Sequence, residues 1–172
     1  MPIGNATATA PPLGQMIAHV SYGLTTGTGN QVSINSSTFT AIDTTHLTIP
    51  SPGNFPASGL LIVQAFVPLI LTTGTTASNS CIVNMTFLNH AGGAILTPTA
   101  EVASVKTTAA VAGVLQTTGV YCKSYAGTAG TAIPGLDLAC VLSRVGTGSA
   151  FVEYDDGTNG SLGPIEMMIF NG

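Results

Sequence analysis

A chain of 172 residues is long enough for one domain with a sizeable core. Only 6% of its residues are charged, against about 25% in ordinary soluble domains, and its 45% hydrophobic content excludes disorder. The formal charge of −4, with Lys106, Lys123 and Arg144 as its cations, excludes nucleic-acid binding by phosphate neutralisation.

Residues 1–14 end in Ala10-Pro-Pro-Leu-Gly14 and show no periodicity, so they read as an extended N-terminal arm. Pro11 and Pro12 disfavour helix and stiffen its exit. Met1-Pro-Ile-Gly-Asn-Ala-Thr7 has neither a basic nor an apolar leader segment, so no signal peptide is expected. Residues 15–172 read as a single domain.

That domain opens on a strand at Gln15–Tyr22, where Met16, Ala18, Val20 and Tyr22 alternate with Ile17, His19 and Ser21. Gln31–Ile34, Thr38–Ile42 and His46–Ile49 are short strands, the last two flanking Asp43-Thr-Thr. Leu60–Ile70 is apolar at nearly every position and follows a Ser-Gly pair, which marks a central strand needing cover on both faces. Pro68 cannot donate a ladder hydrogen bond, so this strand is expected to leave the sheet or bulge there. The run is too short for a membrane helix, which needs about 20 apolar residues. Cys81–Leu88 alternates cleanly and Ala91-Gly-Gly reads as a turn. Residues 94–112 are the least readable part, and Val102–Val114, rich in Ala, Val and Thr, fits strand, loop or one short helix. Val114–Tyr125 is a strand, with a bulge expected at Thr117-Thr-Gly119. Leu136–Ser143 and Ser149–Asp155 alternate, Asp156-Gly157 gives hairpin-turn chemistry, and Ile165–Phe170 closes the chain as a strand.

Eight to ten strands with ordinary loops and no convincing helix predict an all-β fold, an antiparallel β-sandwich or jelly roll. In such a fold Leu61, Val63, Phe66, Met167, Ile169 and Phe170 are candidates for the core or for a subunit interface.

Chemistry is sparse. Cys81, Cys122 and Cys140 are odd in number and widely spaced, which reads as buried core thiols in a reducing compartment rather than a disulfide framework or zinc site. The histidines His19, His46 and His90 lie in separate segments and read as hydrogen-bonded edge or loop residues. Asp43, three residues before His46, offers a weak candidate for a catalytic pairing and reads better as an Asx-turn between two strands. There is no nucleophile elbow and no phosphate-binding Gly loop. Glu153-Tyr-Asp-Asp-Gly-Thr-Asn159 is the only acidic cluster, and a solvated β-turn fits it better than a cation site. No metal, cofactor or enzymatic activity is expected.

The order of motifs carries a resemblance. Gly14-Gln-Met-Ile-Ala-His-Val20 opens a strand, and Ser37-Thr-Phe-Thr-Ala-Ile-Asp43 leads to Leu47-Thr-Ile-Pro50. Ser58-Gly-Leu-Leu-Ile-Val63 follows, with Ser161-Leu-Gly-Pro-Ile-Glu-Met-Met-Ile-Phe170 near the end. This pattern, over residues 14–172, resembles the tumour-necrosis-factor-like jelly-roll structural proteins of tailed bacteriophages. The resemblance implies a homotrimer in the virion, a decoration (cement) protein bound to the major capsid protein, with no nucleic-acid or membrane partner. Residues 94–112 depart from the pattern in length. In this reading Met1, Pro2, Ile3, Pro11, Pro12 and Leu13 belong to a particle-binding arm. The alternative is a trimeric fibre or tail-tip domain that binds a host receptor or glycan, with Tyr154, Asp155, Asp156 and Asn159 as the candidate loop site.

Overall fold

The computed structural model describes residues 14–22, 31–76, 78–90, 98–107, 111–153 and 164–172. Among them every regular element is a strand: β1 (Met16–Tyr22), β2 (Gln31–Ile34), β3 (Thr40–Ala41), β4 (Thr48–Ile49), β5 (Leu60–Thr73), β6 (Ser80–Asn89), β7 (Ala100–Lys106), β8 (Val114–Ala126), β9 (Leu136–Val145), β10 (Gly148–Glu153) and β11 (Ile165–Asn171). No helix is long and apolar enough to cross a membrane among these residues.

The pairing is nested. β1 pairs with β11, β2 with β10, β3 and β4 with β9, β5 with β8, and β6 with β7, all antiparallel. The chain is thus one long hairpin whose tip is the β6–β7 connection. That hairpin is rolled so that β5 also pairs with β11 and β10, and β9 also pairs with β6. Rolling splits the pairs into two sheets. Sheet A runs β1-β11-β5-β8, with β10 and then β2 beside the far half of β5, and sheet B runs β3/β4-β9-β6-β7. Two packed antiparallel sheets with this wrapped connectivity form a jelly roll, the expected fold class.

The core lies between the sheets. In β5 the odd-numbered residues from Leu61 to Leu71 are fully buried, and β11 adds Ile165, Met167 and Ile169. Sheet B answers with Cys81, Val83, Met85 and Phe87 of β6 and Leu136, Leu138, Cys140 and Leu142 of β9. Each fully buried Leu, Ile, Val, Phe or Met contributes roughly 1.5–3 kcal/mol by leaving water. Two aromatic pairs bind across it. Phe87 of β6 meets Tyr121 of β8 edge-on at 5.6 Å, and Phe55 meets Tyr125 at 5.5 Å. The Tyr121 hydroxyl donates to Pro98 O at 2.7 Å, fastening β8 to the segment that leads into β7.

β5 corrects the expectation at Pro68. The strand neither leaves the sheet nor bulges; its pairing with β8 is continuous from Leu60 to Thr72. The reason lies in the phase of the ladder. Thr73 N–H donates to Gly113 O and Gly127 N–H to Gly59 O, both at 2.8 Å. In an antiparallel ladder bonded pairs alternate, so the odd-numbered residues of β5 bond β8 and the even-numbered ones turn the other way. Gly172 N–H, which donates to Leu60 O at 3.0 Å, agrees with that phase. On that other side β11 pairs with Leu61–Phe66 and β10 with Leu69–Thr73, so the missing N–H of Pro68 faces the gap between them. The same unbroken register removes the bulge expected at Thr117-Thr-Gly119. Gly119 instead makes room, because a Cβ there would lie 2.7 Å from Leu69 Cδ1 and 3.2 Å from Val102 Cβ.

Within the unassigned stretch 94–112, Ala100–Lys106 is β7, an edge strand of sheet B. The strands expected at Thr38–Ile42 and His46–Ile49 shrink to β3 and β4, because Asp43 closes a turn between them.

Candidate assembly interface

Alternation that buries one face of sheet A exposes the other, and that outer face carries apolar rows among hydroxyl and amide side chains such as Gln64, Gln116, Thr118 and Ser124. Ile62, Phe66 and Ile70 of β5 point outward, half-buried by their neighbours. β11 contributes Met168 and Phe170, β10 contributes Phe151, and β1 contributes Met16, which is 48% exposed. β8 adds Val114 and Val120, 65% and 51% exposed. Register places these side chains in rows: Met16 beside Phe170 and Ile62, and Glu166 beside Phe66, itself beside Val120. The outer face of sheet B differs, with Glu101 and Lys106 exposed at its β7 margin.

Glu166 is the only carboxylate on the outer face of sheet A among the side chains described, and its charge is answered within the sheet. The Ser21 hydroxyl donates to Oε1 at 2.6 Å, and His19 Nε2 meets Oε2. Burial raises the Glu166 pKa, but the hydrogen bonds from Ser21 and His19 and the nearby imidazole outweigh it and hold the carboxyl below its ordinary value. Lys123 lies on the opposite side of β8 by alternation, so it adds no charge to this face.

The other two histidines are also paired with acids, and of the three pairs the sequence reading raised only Asp43 with His46. Asp43 Oδ1 accepts the backbone N–H groups of Thr45 and His46 at 2.8 and 3.0 Å, the expected Asx-turn, while Oδ2 meets His46 Nδ1 at 2.9 Å. The His46 ring stacks on Tyr22 at 4.5 Å and 14°. Burial raises the Asp43 pKa; the His46 and Thr45 hydrogen bonds outweigh it and lower the net value. Asp137, 4% exposed on β9, accepts from Thr48 Oγ1 at 2.5 Å and meets His90 Nδ1 at 2.8 Å. The buried carboxylate thereby joins β4, β6 and β9. The three pairs stand apart, and among the described residues no three of His, Cys, Asp and Glu gather as a metal site.

Cys81 and Cys140 are buried thiols, as expected, and burial pushes both upward, for Cys81 against the pull of Arg144. Cys122 corrects the expectation. It is exposed, its Sγ accepting from Gln64 Nε2 at 3.4 Å on the outer face. A cavity of about 230 Å³ opens between β2 and β3, lined by Val32, Ile34, Thr40, Ile42 and Cys140 among others. Among the described lining residues the one titratable group is the Cys140 thiol, whose burial disfavours the thiolate.

Of the residues singled out from sequence, Leu61, Val63, Met167 and Ile169 lie in the core, whereas Phe66 and Phe170 stand on the outer face of sheet A. Met1, Pro2, Ile3, Pro11, Pro12 and Leu13, and likewise Tyr154, Asp155, Asp156 and Asn159, fall outside the described residues.

No family model matches the chain, and no curated protein does. Among solved structures it is similar to the VP2 subviral particle of infectious bursal disease virus, with a TM-score of 0.34 and 15% identity over 99% of this chain and 41% of that one. A viral particle of the same virus gives a TM-score of 0.33 and 15% identity, covering 99% of this chain and 39% of that one. The chain spans about two fifths of the length of those proteins.

Proposed function

We propose that this chain is a non-enzymatic structural subunit of a virus particle: a homotrimer that decorates a phage head and cements the major capsid protein beneath it. The observation that carries the proposal is the outer face of sheet A. It carries rows of large apolar side chains, and its one described carboxylate is already hydrogen-bonded within the sheet by His19 and Ser21. Water is a poor environment for such a face, and a neighbouring subunit is a good one. The strand order supports the same reading through its resemblance to the jelly-roll structural proteins of tailed phages. Low charge fits a chain whose surface is largely covered in an assembly.

Size is adequate. Fourteen residues of β5 at about 3.3 Å and four strands at about 4.8 Å make a face of roughly 900 Å², against about 800 Å² per partner in a standard interface. Three such faces turned to a common axis give the second cover that β5 asks for. Cementing then works by mass action. A trimer that binds across capsid-subunit boundaries stabilises the assembled shell over its separated parts.

The test is solution mass by light scattering for the wild type and Phe66→Glu. A stable trimer is expected for the wild type. Phe66→Glu would bury an unpaired carboxylate at about 3 kcal/mol or more, which weakens association at least a hundredfold. It should run as a folded monomer. A wild-type monomer at every concentration, or a Phe66→Glu trimer of undiminished stability, overturns the proposal.

A further inference from the structure

Among the described residues no strand pairs with the outer flanks of sheet A, and the longer flank is β8. Its odd-numbered residues bond β5, so the even-numbered residues from Val114 to Ala126 turn their N–H and C=O groups away from the sheet. No backbone group among the described residues meets them. Edge strands of stable monomers are normally blunted by shortness, proline, a bulge or a projecting charge. Of these β8 has only a charge, Lys123, which points inward. It runs for thirteen residues without proline, and its register is unbroken. The same even-numbered residues carry Val114 and Val120, two of the most exposed large apolar side chains described.

The opposite flank of sheet A is β1. Each step from β1 to β11, β5 and β8 is antiparallel, so β1 and β8 run in opposite directions. β1 contains no proline, Asp, Glu, Lys or Arg. Its rows continue through β11 and β5 to the Val120–Ala126 half of β8.

Resting on the trimer reading above, we infer that this half of β8 receives β1 of a second copy, so that sheet A continues from subunit to subunit as one antiparallel sheet. The contact joins two different edges and is therefore heterologous, the kind that closes into a ring. Main-chain hydrogen bonds supply the adhesion, as in other strand additions, and no like charges face across it. Joining β8 to β8 of a second copy would instead use one edge twice and give a two-fold dimer.

Val120→Pro is the discriminating variant. Val120 N–H points to the free edge, so proline there spares the ladder to β5 while blocking an added strand. Val120→Ala controls for the lost side chain. The experiment measures solution mass for the wild type and both variants, with amide hydrogen exchange of the wild type across a dilution series. A wild-type and Val120→Ala trimer, a monomeric Val120→Pro, and at least tenfold slower exchange at Val120, Cys122 and Ser124 in the trimer are expected. If Val120→Pro unfolds, the exchange series alone decides, because those amides must be protected on assembly and open on dilution. A wild-type trimer in which they exchange freely, or a trimeric Val120→Pro, overturns the inference and leaves the trimer reading standing. A dimer with protected β8 amides, or a monomer at all concentrations, overturns both.

Discussion

Tyr121 is where the joining of the two sheets can be measured. Its ring is fully buried on β8 and meets Phe87 of β6 edge-on at 5.6 Å, while its hydroxyl donates to Pro98 O at 2.7 Å. Tyr121→Phe removes one oxygen and leaves the ring contact. Pro98 is exposed, so water can reach the abandoned carbonyl and the loss stays near the net value of one hydrogen bond, about 1 kcal/mol. For a chain of this length that lowers Tm by about 2–4 °C. Tyr121→Ala also removes the ring and leaves a cavity between the sheets, for about 3–5 kcal/mol. Guanidinium titrations at one fixed protein concentration would measure both, since self-association would otherwise raise the apparent stability. A Tyr121→Phe loss above about 3 kcal/mol would mean that the hydroxyl, not the ring, holds the sheets. An Ala loss no larger than the Phe loss would refute the packing argument outright.

Other predictions follow from single contacts. Gly127→Ala would place a Cβ 2.3 Å from Phe55 Cζ, so it should cost about 1–3 kcal/mol, and the double variant with Phe55→Ala should lose less than the sum of the singles; strict additivity would show that the two do not touch. The Asp43 and Glu166 carboxyls titrate below their ordinary values, so the stability they contribute is present above the ordinary carboxylate pKa and drains away as the pH falls through the lowered values, below about pH 4. Asp43→Asn and Glu166→Gln should each flatten that acid limb of a denaturation-versus-pH curve, and an unchanged limb in both would contradict the pairing. Iodoacetamide should label Cys122 in the dilute native protein and more slowly as copies associate, whereas Cys81 and Cys140 should react only on unfolding. Native labelling of Cys140 at the Cys122 rate would contradict its burial.

The sheet strands were legible wherever one face meets the core, because period-2 alternation survives in the sequence. Cys81–Leu88, Leu136–Ser143 and Ile165–Phe170 are read within a few residues of β6, β9 and β11. β5 was legible by a different sign. An unbroken apolar run marks a central strand that wants cover on both faces; β5 lies inside sheet A and buries its odd-numbered face in the core, while its even-numbered face is half-buried. β7 was not, because Ala100-Glu-Val-Ala-Ser-Val-Lys106 lies at an edge, where neither face is strongly selected. Pro68 misled for a reason no window contains: whether a missing N–H matters depends on the partner strand at that point, set by residues near Val152 and Glu166. The same holds for the histidines. Asp43 and His46 are close in sequence, but His19 and Glu166 are 147 residues apart and meet only through the β1–β11 pairing. Cys122 was readable in principle, since it follows Tyr121 and must point the other way. Phe66 and Phe170 likewise share the outward parity of Ile62, which separates them from Leu61, Val63, Met167 and Ile169.

Nested pairing also bears on how the chain is made. Every strand that covers an edge of β5 lies downstream of it: β8 begins at Val114, β10 at Gly148 and β11 at Ile165. A ribosome adding about 5–20 residues per second leaves the most apolar strand of the protein without any lateral partner for about 3–10 s, until β8 is complete, and with one edge open for about 5–20 s, until β11 is complete. During that interval β5 is an unpaired template for any neighbouring nascent chain. Pro68 stands within it, and a proline in an unpaired strand interrupts the run of donors that intermolecular pairing needs. The residue that costs the finished sheet nothing thereby guards the unfinished one.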